Sequence, residues 1–131
     1  MRRKWVAIAP MLLLVTACGA GANAGAAASC VAPQLVALSP QSGPARTSIS
    51  MTVEWLHEGC HDTNGPDEQR PRTAPVYFSQ QHVETLVGTM TGSGEHYRAA
   101  LRFDVPATAT PGPAVLHLGP EHQVIGRFTV G

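Results

Sequence analysis

The sequence predicts an all-β protein, an antiparallel β-sandwich of about seven strands. Three observations carry this expectation. Ser48–Trp55 and His96–Val105 alternate apolar and polar residues with a period of two, the signature of a half-buried strand. Turn signals rich in Gly and Pro recur between short apolar runs from Ser39 to Pro120, at spacings of about a dozen residues that suit a sandwich. No stretch beyond residue 30 repeats its apolar residues at helical spacing.

The first strand is the short apolar run Leu35-Val36-Ala37-Leu38, stopped by Ser39-Pro40, and Ser42-Gly43-Pro44 is turn chemistry. The second has Ile49, Met51, Val53 and Trp55 on one face and Ser48, Ser50, Thr52 and Glu54 on the other. A helix would scatter those apolar residues around its circumference. His57 to Ala74 has no periodicity and reads as a long polar loop with Pro66 and Pro71 inside it and Pro75 closing it. Val76-Tyr77-Phe78 is the third strand and Val83–Met90 the fourth, with Gly88 weakening it or marking a bulge. Thr91-Gly92-Ser93-Gly94 is expected to be a hairpin connection. In the fifth strand Tyr97, Ala99, Leu101, Phe103 and Val105 face inward, alternating with His96, Arg98, Ala100, Arg102 and Asp104. Pro106 and Pro111-Gly112-Pro113 end it, and Ala114–Leu118 and Val124–Val130 are the last two strands, separated by Gly119-Pro120. One polar face per strand fits two sheets that share a single apolar interior.

Leu38-Ser39-Pro40-Gln41-Ser42-Gly43-Pro44 ahead of an alternating strand is similar to the opening of bacterial immunoglobulin-like domains of the IPT/TIG type. Val105-Pro106-Ala107-Thr108-Ala109 with Pro111-Gly112 resembles their segment before the last two strands, so the matching order spans about residues 33–131. The resemblance implies an immunoglobulin-like β-sandwich that serves as a binding or spacer module without catalysis.

The N-terminus has a different grammar. Arg2, Arg3 and Lys4 precede an apolar run from Trp5 to Val15, too short for the roughly 20 residues that cross a bilayer and typical of a secretory signal. The run ends in Val15-Thr16-Ala17-Cys18, which resembles the lipobox of bacterial lipoproteins. The resemblance implies a diacylglyceryl group on the Cys18 thiol, cleavage before Cys18, and anchoring at the outer face of the cytoplasmic membrane. Two acyl chains hold a protein stably where one holds it only reversibly. The plainer alternative is an unmodified secreted protein cut near Ala17 or among Ala26–Ala28. Lys4 is the only lysine in a chain rich in Arg, Ala and Gly, which points to a GC-rich, actinobacterial type of coding source. Residues 1–17 thus read as signal, residues 18–32 as lipidated terminus and flexible linker, and residues 33–131 as the folded domain. Gly19 to Ser29 are Gly, Ala, Asn and Ser only, a coil whose span is about 18 Å by the scaling for Gly-rich chains.

With Cys18 assigned to lipid, Cys30 and Cys60 remain, and two cysteines in an exported chain read as one disulfide. Closing a loop of about 30 residues would contribute about 3.6 kcal/mol in the chain-entropy picture. Removal of the signal takes away three of the nine cations and none of the nine acids, leaving a net charge of −3. That excludes a basic nucleic-acid binder and a polybasic membrane patch. The expected partners are the membrane, through the lipid, and an envelope protein.

Candidate chemistry is sparse. His57, Cys60 and His61 with Asp62 form the densest group of potential ligands, which would suit zinc or copper. A further ligand would have to come from His82, His96, His117 or His122. Solvated loop histidines are the simpler reading, and no cofactor or resident metal is expected. Asp62-Thr63-Asn64-Gly65-Pro66-Asp67-Glu68 is oxygen-rich but has Pro66 and Asp67 where a calcium loop needs a ligand and a Gly. No Gly-x-Ser-x-Gly elbow, Ser-x-x-Lys pair or Gly-rich phosphate loop is present, so no enzyme class is indicated. Arg98 and Arg102 share a polar face with His96 and Asp104 and read either as an anion-binding stripe or as cross-strand partners. The loop from His57 to Ala74, with Asp62 and Asn64 in it, is the expected place for recognition.

Overall fold

The computed structural model describes residues 31–58 and 70–131. The signal segment, Cys18, Cys30 and the stretch 59–69, with Cys60, His61, Asp62 and Asn64, lie outside the described residues. Among the described residues ten strands are formed, β1 (Gln34–Ser39), β2 (Ser42–Gly43), β3 (Ser48–Glu54), β4 (His57–Glu58), β5 (Arg70–Pro71), β6 (Thr73–Gln80), β7 (Val83–Thr91), β8 (Ala99–Asp104), β9 (Gly112–Leu118) and β10 (Gln123–Val130). One sheet has the order β1-β3-β8, the other β2-β10-β9-β6-β7, and β4-β5 form a two-stranded ribbon. The seven long strands and their partition make an immunoglobulin-like sandwich. Among the described residues no helix is long and apolar enough to cross a membrane.

Alternation places the core as expected. Ile49, Met51 and Val53 of β3 and Ala99 and Phe103 of β8 meet Val76 and Phe78 of β6, Leu116 and Leu118 of β9, and Phe128 and Val130 of β10 in one buried cluster. Phe78 and Phe128 touch edge to face, their centroids 6.4 Å apart. Each large side chain fully buried there contributes about 1.5–3 kcal/mol.

Several local expectations are corrected. Ser42–Gly43 is not a turn but β2, which pairs in parallel with Thr129 and Val130 of β10. The chain changes sheet across Pro40, which has no N–H to continue the β1 ladder. The turn falls at Pro44–Thr47, where Thr47 donates to the Pro44 carbonyl through its N–H (3.1 Å) and its hydroxyl (2.6 Å). Gly88 does flank a bulge, in β7 opposite Val76 and Tyr77. A Cβ there would lie 2.8 Å from the Leu101 side chain, so Gly88 lets β8 of the other sheet approach β7. Thr91–Gly94 is not a hairpin joining paired strands, because β7 and β8 lie in different sheets. Ser93 and Arg98 bond each other's backbone around a 3-10 turn, Glu95–Tyr97, so Tyr97 precedes the fifth strand rather than opening it. Trp55 leaves the inner face as well, with a positive φ of 65° that ends the alternation at Val53.

Candidate functional site

One end of the sandwich gathers the start of β1, the segment between β3 and β6, the β7–β8 connection and the β9–β10 turn, because Gln34 is opposite Glu54, Thr73 opposite Thr91, and Gln123 opposite Leu118. Its frame is stitched by backbone hydrogen bonds. Trp55 N–H donates to the His96 carbonyl (2.7 Å), Leu56 N–H to Tyr97 (3.2 Å), Arg72 N–H to Leu56 (3.2 Å) and Gly92 N–H to Arg72 (3.0 Å). Gly92 is needed there, since a Cβ would lie 2.1 Å from the Leu56 carbonyl oxygen. The short β4-β5 ribbon and these bonds hold both roots of the 59–69 stretch, within what the sequence suggested was irregular loop.

Aromatic rings cover this frame. The Trp55 and His96 rings pack with centroids 4.7 Å apart, and His57 and Tyr97 at 5.3 Å. His57 is not a solvated loop residue. It is only 8% exposed, and among the described residues neither ring nitrogen has a hydrogen-bond partner, an arrangement that costs on the order of 1–3 kcal/mol per unsatisfied group. His61, Asp62 and Asn64, expected beside it, lie outside the described residues. Arg98 donates through Nε and Nη2 to Glu54 Oε1, at 3.1 and 2.5 Å, and Arg102 donates through Nε to Ser48 Oγ at 2.9 Å. Both guanidinium groups are therefore tied to the neighbouring strand. Arg72 Nη2 bonds Glu121 Oε1 at 2.6 Å and, as the main cause, holds the Glu121 carboxyl below its ordinary range.

A second cluster lies on the outer face of the five-stranded sheet. The register sets Leu86, Tyr77, His117 and Val124 in one row across β7, β6, β9 and β10, and Glu84, Ser79 and Val115 in the adjacent row. Glu84 reaches across the small Ser79. Its Oε1 stands 3.1 Å from His117 Nδ1 and 3.0 Å from His122 Nδ1. His122, in the β9–β10 turn at a φ of 52°, stacks on Tyr77 with centroids 5.4 Å apart. The two imidazoles stand nearly perpendicular, at 84°. Glu84 carried no signal in the sequence. His117 and His122 carried a weak one, as two of the four histidines that could supply a further ligand to the His57 group. The convergence comes from strand register, which sequence periodicity leaves open.

No protein-family model and no curated protein matches this chain.

Proposed function

We propose that the chain is a non-catalytic binding module of the bacterial cell envelope: an immunoglobulin-like body of the IPT/TIG type, tethered through lipid on Cys18 to the outer face of the cytoplasmic membrane, that offers its loop end to an envelope protein. The observation behind this reading is the loop end itself, where hydrogen bonds to rigid strands fix the roots of the 59–69 stretch beside the half-buried Trp55. Loops held on a rigid frame commonly carry recognition, and Trp is enriched where binding energy concentrates. A Cys30–Cys60 disulfide belongs to the same reading. Gln34 pairs with Glu54, so the segments leading to the two cysteines leave adjacent strands at one end. A second reading, metal handling through His57 and His61, draws support from buried His57, whose two ring nitrogens have no hydrogen-bond partner among the described residues.

The test uses the full-length chain in its native envelope. Cys18→Ala should move it from the membrane fraction to the soluble one, and retention in the membrane would refute the anchor. Crosslinking in intact cells should recover one defined protein partner with the unaltered chain. Trp55→Ala should reduce that recovery by about tenfold or more, as loss of a hot-spot residue does. Undiminished capture by this variant would move the binding surface elsewhere.

A further inference from the structure

We propose that Glu84, His117 and His122 form a surface site for a divalent first-row transition cation, with zinc the best fit, independent of the loop end. One ligand atom from each of the three residues lies within 4.8 Å of the others. The two imidazoles and one carboxylate are a donor set that zinc takes in three-ligand sites, leaving a fourth position for water or an incoming group. Tetrahedral bonds of about 2.0–2.1 Å place neighbouring ligand atoms about 3.3 Å apart. The two contacts from Glu84 Oε1, at 3.1 and 3.0 Å, already approach this spacing. Drawing the three ligand atoms from within 4.8 Å to this spacing is the remaining adjustment.

The surroundings fit such a site. His117 is carried on β9, a strand paired on both sides, so its backbone is rigid. Its ring is largely shielded, with a side-chain exposure of 17%, whereas His122 and Glu84 are more open, at 49% and 35%. These two can rotate onto an ion while His117 stays in place. Tyr77 backs the His122 ring and limits its directions, the orienting role that groups around metal ligands commonly play. Oxygen-seeking calcium and magnesium are not suited to a site that is two-thirds imidazole. Leu86 and Val124, both exposed, lie in the same row as His117.

The experiment is calorimetric titration of Zn2+ into the full-length chain prepared without a histidine tag, with Co2+ absorption as the second readout. One equivalent should bind, with a visible spectrum of tetrahedral type. Calcium and magnesium should not compete. His117→Ala, His122→Ala and Glu84→Gln should each weaken binding by at least about tenfold, the lower end expected for loss of a ligand or its support. His57→Ala should leave it unchanged. Far-UV circular dichroism establishes that each variant is folded, and His122→Ala, in an exposed turn, serves alone if His117→Ala does not fold. Absence of stoichiometric uptake overturns the proposal. So does uptake that survives His122→Ala and Glu84→Gln at full affinity, or that disappears with His57→Ala instead.

Discussion

On the outer face of the three-stranded sheet, Ser48, Ser50 and Thr52 of β3 lie beside Ala100 and Arg102 of β8. On the outer face of the five-stranded sheet, Leu86, Tyr77, His117 and Val124 lie in one row, with Leu86 58% and Val124 52% exposed. The inner faces of the two sheets are alike, both apolar and buried in one cluster. Folding therefore asks the same of both sheets and leaves their outer faces free. One outer face carries small hydroxyl side chains with Arg102 bonded to one of them. The other holds imidazole, carboxylate, phenol and exposed aliphatic groups, more chemistry than solubility requires.

The strongest test of this contrast compares depth with side. Phe78→Ala, beneath the five-stranded sheet, should cost about 3–5 kcal/mol in urea unfolding, the usual cost of truncating a buried Phe. Ser50→Ala and Leu86→Ser, on the two outer faces, should each stay within about 0.5 kcal/mol. A large cost at Ser50 would mean that the plain face is packed rather than solvated. A smaller effect is expected from the Glu54–Arg98 pair, which ties β3 to the start of β8. A double-mutant cycle with Glu54→Ala and Arg98→Ala should give a coupling of at most about 1 kcal/mol that shrinks in high salt. A coupling that ignores salt would show a structural anchor instead of a surface contact.

The smallest effect belongs to Arg72–Glu121. The Glu121 carboxyl is held below its ordinary value of 4.5, chiefly by its hydrogen bond with Arg72. The folded state therefore binds its proton more weakly than the unfolded chain does. The pair's contribution is present above the ordinary carboxylate range and declines as pH falls through the lowered value. Glu121 is 47% exposed, so solvent screens the effect. Arg72→Met should flatten this part of the stability–pH curve, measured as denaturation midpoints across acid pH. An unchanged curve would remove Arg72 as the cause.

The seven long strands were legible because alternation and turn residues are local. Ile49, Met51 and Val53 report their burial to any reader of period two. The misreadings come from non-local causes. Trp55 continues the alternation in sequence, but hydrogen bonds from Trp55 and Leu56 to His96 and Tyr97 bend the chain out of the strand. Ser42–Gly43 has turn composition and becomes a strand because β10 offers an open edge. Of the expected site residues, Arg98 and Arg102 are engaged with Glu54 and Ser48. Glu84 and His122, 38 residues apart, could meet only once register was fixed.

The parallel pairing of β2 with β10 also bears on how the domain carries mechanical load. A pull between residues 31 and 131 drags β1 and β2 along their length in one direction and β10 in the other. The Thr129 N–H to Gln41 carbonyl bond (3.1 Å) and the Gly131 N–H to Gly43 carbonyl bond (3.0 Å) are then sheared together instead of peeling apart in turn. Resistance to stretching is set by the rate of rupture rather than by equilibrium stability. A body that yields readily to denaturant could still transmit tension along its long axis before giving way.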